Sequence, residues 1–131
     1  MKQKHYLCED RDVVTPEMGR REIRVLFMDE AVAFVRSLPL KVQKKVTFNY
    51  NKIERGVVDS TLLKKLEGTE IWELRTVYEG LCYRLFAFWD TEVGALIIAT
   101  HGIVKKTQRT PIKEVRKAES IRRQYFDRKE R

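Results

Sequence analysis

Ile71-Trp72-Glu73-Leu74-Arg75-Thr76-Val77-Tyr78, Glu79-Gly80, Leu81-Cys82-Tyr83-Arg84-Leu85-Phe86-Ala87-Phe88-Trp89 is the stretch that decides the fold. Its first eight residues alternate, with Trp72 and Leu74 on one face and Glu73 and Arg75 on the other, which is the period of a half-buried strand. Residues 81–89 are rich in aromatic and β-favouring side chains and read as a second strand. Glu79-Gly80 between them is a two-residue turn candidate, so the whole reads as a hairpin. Counting back from a Tyr78–Leu81 pair places Arg75 directly opposite Arg84. Opposed residues of an antiparallel pair share a face, with Cβ atoms about 4.5–5.5 Å apart, and like charges there repel. Two arrangements relieve the repulsion. Glu73, on the same face, can form an Arg-Glu-Arg surface ladder, or an anion such as a phosphate can sit between the arginines. A one-residue slip in the turn would reverse the face and remove both.

Outward from the hairpin, residues 90–94 form a turn and residues 95–101 a short buried strand ending at His101-Gly102. A register centred near Glu92 brings His101 close to Tyr83, Arg84 or Leu85. Upstream, residues 22–28 begin in alternation and read as a first strand. Residues 29–37 read as a short helix stopped by Leu38-Pro39, because proline disfavours helix in the residue before it. From Leu40 to about Arg55, the spacing of Val42, Val46, Tyr50 and Ile53 is that of an amphipathic helix, with Gly56 placed to end it. Lys64-Lys65-Leu66-Glu67-Gly68 falls in the loop before the hairpin. By itself that lysine pair is a solvated turn. Downstream, Thr110-Pro111 combines a capping hydroxyl with proline at the first helical position. The helix it opens runs to about Phe126, with Ile112, Val115, Ala118, Ile121 and Tyr125 inward. The order β-α-α-β-β-β-α predicts an α+β domain over residues 21–131: a small antiparallel sheet packed against an N-terminal helical hairpin, with a basic C-terminal helix. Residues 1–20 read as an extension. Tyr78, Tyr83, Phe86, Phe88 and Trp89 read as core at strand spacing, which leaves Tyr125 as the aromatic most open to solvent.

Composition narrows the chemistry. The 131 residues suffice for one core, and a hydrophobic fraction of 43% beside a charged fraction of 35% describes a globular protein with a charged surface. The longest apolar run, Gly94–Ala99, is far short of a membrane span, and the N-terminal residues carry no signal-like stretch, so a cytoplasmic protein is expected. Two cysteines and two histidines argue against a disulfide framework or a structural metal. Dinucleotide, P-loop and nucleophile-elbow motifs do not occur. The net charge of +8 is concentrated: residues 1–100 hold 16 Lys/Arg against 15 Asp/Glu, and residues 101–131 hold 11 against 4. A basic segment on a balanced domain suggests a polyanionic partner, nucleic acid ahead of membrane.

Arginines, lysines and one histidine without a metal cluster suit the cleavage of RNA. RNA carries its own nucleophile, the 2′-hydroxyl. The protein must supply donors to the crowded phosphate, which guanidinium forks do well, and groups that move protons. Histidine, with an unperturbed pKa near 6.5, suits that second task, which makes His101 a candidate.

Taken together, Lys64–Gly68, Ile71–Arg75, Tyr83-Arg84-Leu85-Phe86 and His101-Gly102-Ile103-Val104-Lys105-Lys106-Thr107-Gln108-Arg109-Thr110-Pro111 resemble the RelE/ParE toxin superfamily, most closely its phage-derived HigB-like branch. The resemblance implies a toxin of a type II toxin–antitoxin pair, in many members a ribosome-dependent endoribonuclease that cuts mRNA and stops translation without a cofactor. It implies a cognate antitoxin, often a helix-turn-helix protein, through which alone the toxin reaches operator DNA. It matches Arg84 to a phosphate-binding arginine, Arg75 to a basic position on the preceding strand, and Lys105 or Lys106 to a further basic site residue. Lys64, Lys65 and Arg109, within the shared motifs, join them as RNA-binding candidates. RelE-type members carry lysines on the strand that holds Arg75. Here that stretch is Ile71-Trp72-Glu73, so proton transfer falls to Glu73 or His101. The C-terminal tyrosine of some relatives has no counterpart in residues 111–115. Two other readings stand beside the ribonuclease: a ParE-like toxin that poisons gyrase, and a non-catalytic binding module of the same fold.

Overall fold

A computed structural model of the chain describes residues 23–106 and 109–129. The extension expected over residues 1–20 lies outside the described residues. The elements are β1 (Ile23–Phe27), α1 (Asp29–Arg36), α2 (Leu40–Glu54), β2 (Leu63–Lys65), β3 (Trp72–Tyr78), β4 (Leu81–Asp90), a 3-10 turn (Thr91–Val93), β5 (Ala95–Lys105) and α3 (Ile112–Lys129). This is the expected α+β order with one strand added, since Lys64 and Lys65, read as loop, lie in the short edge strand β2. The sheet runs β1-β5-β4-β3-β2. β5, β4, β3 and β2 are antiparallel neighbours, and β1 joins the far side of β5 in parallel, so the sheet is mixed.

The helical hairpin forms for local reasons. Asp29 and Glu30 open α1 and Arg36 closes it, each complementing the helix dipole. α2 turns Val42, Val46, Tyr50 and Ile53 inward. It stops at Gly56, whose φ of 99° lets its N–H reach Ile53 O while Val57 N–H reaches Lys52 O, a Schellman end. Both helices cover one face of the sheet, burying Val25, Phe27, Leu74, Leu85, Ala87 and Ile97. α3 covers the other face, over Leu26, Ile71, Phe86, Phe88, Leu96 and Ile98. Because β4 and β5 are covered on both faces, Tyr83–Phe88 and Leu96–His101 are buried at every position rather than at every second one.

The hairpin register is the one the turn arithmetic requires, with Tyr78 opposite Leu81 and Arg75 opposite Arg84. Glu79 and Gly80 both take positive φ, 48° and 82°, the type I′ geometry that matches strand twist. His101 departs from expectation. A bulge at Thr100 inserts one residue between the Ala87–Ala99 and Phe86–His101 pairs, so His101 faces Phe86 rather than residues 83–85. Of the expected core aromatics, Tyr83, Phe86 and Phe88 are buried, and Tyr78 and Trp89 pack half-buried against the core.

α3 sits on the sheet through Ala118, fully buried, and through Val115, Tyr125 and Phe126, partly buried. Ile112, expected inward, is 65% exposed in the first turn of the helix. Tyr125, read as inward on the helix and yet as the aromatic most open to solvent, is inward: it packs its ring edge-on to Phe88 and donates its hydroxyl to Asp90 Oδ2 at 2.6 Å. Burial and that carboxylate push the Tyr125 phenol up to about 12. Burial works to raise the Asp90 carboxyl, but bonds from Lys129, Tyr125 and the Glu92 N–H outweigh it and hold the group below its ordinary value. The C-terminal end of α3 is thereby clamped to the end of β4. Among the described residues no helix is long and apolar enough to cross a membrane.

Gly102 has a steric reason. A Cβ there would lie 2.3 Å from Phe34 Cδ2, so the ring of α1 presses directly on the β5 backbone. Gly102→Ala is expected to cost about 1–3 kcal/mol by overpacking, read as a lower urea midpoint with an unchanged m-value.

Candidate phosphate-binding and catalytic site

The α3-side face of the sheet carries three successive cross-strand rows. One is Lys64, Glu73, Phe86 and His101; the next is Arg75, Arg84 and Ile103; the third is Val77, Cys82 and Lys105. The start of α3 lies against the first two rows, and beyond it Val77 is 59% exposed. The face therefore runs from a covered core to an open end at the β3–β4 turn, with the arginines where cover gives out.

The arginine pair is neither a surface ladder nor a bare anion cleft. Glu73 stands between the guanidiniums, and it is buried, at 2% exposure, as is Arg84 at 1%. Arg84 Nη1 lies 3.4 Å from Glu73 Oε2 and donates to Thr110 Oγ1 at 2.9 Å. Thr110 in turn donates to Glu73 Oε2 at 2.7 Å. The hydroxyl expected to cap α3 is thus turned onto the carboxylate and the arginine. Arg75, 19% exposed, sits with Nε 3.8 Å from Glu73 Oε1, beyond hydrogen-bond range. That Nε is buried and has no hydrogen-bond partner among the described residues. Among the described residues, two guanidiniums face one carboxylate at the edge of the core, an excess of positive charge. A phosphate oxygen would neutralise it and satisfy the Arg75 donor.

His101 lies one strand further in, 2% exposed, with its ring stacked on Phe86 at 5.0 Å between centroids. Nε2 meets Glu114 Oε1 of α3 at 3.0 Å, and Nδ1 meets Thr100 Oγ1 at 2.8 Å. Both ring nitrogens are therefore engaged, and the bulge that upset the register is what brings Thr100 to Nδ1. Burial foremost, and the charge of Lys117, hold the imidazole below its ordinary 6.5, against the upward pull of Glu114 and Glu30. Below about pH 6.5 the unfolded chain then binds more protons at this position than the folded one, so folding stability falls with falling pH until the folded pKa is passed. His101→Gln is expected to flatten the dependence of the urea midpoint on pH below about 6.5. A slope equal to that of the unchanged protein would mean that other groups carry it.

The remaining candidates divide. Lys64 is exposed on the face of Glu73, while Lys65 pairs with Trp72 and belongs to the opposite face. Lys105, half-buried, shares the site face opposite Cys82. Lys106 and Arg109 are exposed on the connection to α3. Sequence reasoning missed Thr110 and Glu114 as site residues. Thr110 had the signal of a cap, and Glu114 that of an acidic first-turn residue. Neither signal points at a strand 26 or 13 residues away.

Among curated proteins none matches the chain. The sequence pattern of the phage-derived protein Gp49-like family (DUF891) matches residues 33–123, from within α1 into α3, and so spans the whole site. The chain belongs to this Gp49-like family, a RelE/HigB-like group whose members are commonly toxins of toxin–antitoxin systems.

Proposed function

We propose that this protein is a toxin of the HigB-like branch that cuts mRNA on the ribosome by a metal-independent route, using the RNA 2′-hydroxyl as nucleophile. The observation that carries the reading is the Arg75–Glu73–Arg84 array, in which Glu73 and Arg84 are buried, Arg75 reaches the solvent edge, and Arg75 Nε has no hydrogen-bond partner among the described residues. In such a reaction the 2′-oxygen attacks phosphorus in line and the bond to the 5′-oxygen breaks. The products are a 2′,3′-cyclic phosphate and a free 5′-hydroxyl. Guanidinium donors stabilise the charge that builds on the equatorial oxygens. Glu73 takes the 2′-proton through Oε1, the carboxylate oxygen that faces Arg75. His101 is the second proton carrier, once its Nε2 is released from Glu114. Lys64, Lys105, Lys106 and Arg109, with the exposed Lys113, Arg116 and Arg123 of α3, offer charge to mRNA and ribosomal RNA. Lys65 contributes from the other face. The partner that silences the toxin is a cognate antitoxin of the helix-turn-helix kind, through which alone the toxin reaches operator DNA.

The test is inducible expression in bacteria with 5′-end mapping of a reporter mRNA and of ribosomal RNA. Cuts within translated codons that vanish in Arg75→Ala, in a protein that stays folded, are expected. Growth arrest with intact mRNA and a DNA-damage response would transfer the reading to gyrase. Soluble protein that neither arrests growth nor cuts would leave a binding module.

A further inference from the structure

Arg75 and Arg84 face one another in the register, yet their surroundings differ. Arg84 is wholly buried and bonded through Thr110 to the carboxylate of Glu73. Arg75 lies at the solvent edge of the same array, 19% exposed, with its Nε 3.8 Å from Glu73 Oε1, beyond hydrogen-bond range. We infer that Thr110 is a positioning residue which, by tying Glu73 Oε2 to Arg84, leaves Arg75 as the arginine that takes the phosphate. The inference rests on the proposed function and deepens it: the resemblance matches Arg84 to the phosphate-binding arginine, whereas the geometry gives that task to Arg75.

The division follows from competition for one carboxylate. Glu73 has two oxygens for two guanidiniums. Thr110 donates to Oε2 and accepts from Arg84 Nη1, which closes a three-membered arrangement around that oxygen. Glu73 is thereby held with Oε1 too far from Arg75 Nε for a hydrogen bond. Without the hydroxyl, Oε2 loses its shortest donor and the carboxylate is free to turn onto Arg75. A phosphate would then have to displace a carboxylate from Arg75 before binding there. Thr110 also lies on the chain just ahead of α3, so the same bond ties the approach to that helix to the arginine array.

The experiment uses inorganic phosphate as the probe and residue-resolved NMR of the arginine Nε–H groups of the full chain. In the unchanged protein the Arg75 Nε–H signal is expected to move on titration, and the Arg84 signal to stay. Movement of Arg84 alone, or of neither, overturns the inference. Thr110→Val is expected to weaken phosphate binding at Arg75 by about tenfold, the worth of one charge-assisted hydrogen bond, and Thr110→Ser to hold it within about twofold. Equal weakening by both variants, or none by valine, counts against a positioning role. Should the valine variant fail to fold, the serine variant and the Arg75/Arg84 contrast still decide the matter. Phosphate binding needs no ribosome. A protein that shows the contrast but cuts no mRNA keeps this inference and loses the proposed function. One that cuts mRNA while Arg84 alone responds does the reverse.

Discussion

Arg75→Ala is expected to lower mRNA cleavage on the ribosome by about 10²–10³-fold, the usual loss when one preorganised donor to a developing oxyanion is removed. The side chain is 19% exposed and its ion pair to Glu73 is long, so its removal leaves the core intact. Far-ultraviolet circular dichroism and the urea midpoint should stay near those of the unchanged protein while the rate collapses. Arg75→Lys should restore little, because a lysine keeps the charge but lacks a donor at the Nε position and the forked geometry. Cleavage within about threefold of normal in the alanine variant would move the phosphate site away from this pair.

Glu73→Ala acts on the fold. It strips the carboxylate from between two guanidiniums, one of them 1% exposed. Breaking a buried ion pair by removing one partner costs about 3–5 kcal/mol, because the remaining charge is left without compensation. The Thr110 hydroxyl loses its acceptor in the same step. Glu73→Gln keeps the shape and an acceptor for Thr110, and should cost clearly less. Equilibrium urea denaturation separates the two. A loss below about 1 kcal/mol in the alanine variant would mean that water reaches Arg84 and that the array is not the closed unit described.

What the sequence disclosed and what it withheld divide along one line, the distance over which a residue's neighbours are set. The hairpin register was legible because two residues and their backbone geometry decide it, and those residues, Glu79 and Gly80, stand in plain view. Gly56 and the inward face of α2 were legible for the same reason. His101 was misplaced by one strand position, since the bulge at Thr100 has no local signature, and a single inserted residue reaches every pair beyond it. β2 was missed because three residues are too few to show alternation, and its pairing to β3 is decided by the partner strand. Thr110 and Glu114 bond to residues on other elements, so a reading of their own neighbourhoods found only a cap and a helix acid. The Arg75–Glu73–Arg84 grouping was legible as a set, but its burial was not. Burial depends on where α3 comes to rest.

The parallel pairing of β1 with β5 carries a temporal consequence. Ile23 meets Ala95 and Phe27 meets Ala99, so the first strand waits for residues in the last third of the chain. Closing so long a loop is entropically costly and slow compared with the neighbouring hairpins. During synthesis the hairpin of β3 and β4 can form as soon as both strands exist, whereas β1 has no partner until β5 is made. Thr110 and Glu114, which complete the arginine array and the histidine contact, arrive later still. A nascent chain therefore carries its arginines without the surroundings that organise them. The assembled site comes into being only after Thr110 and Glu114 have been made, well behind the arginines they organise.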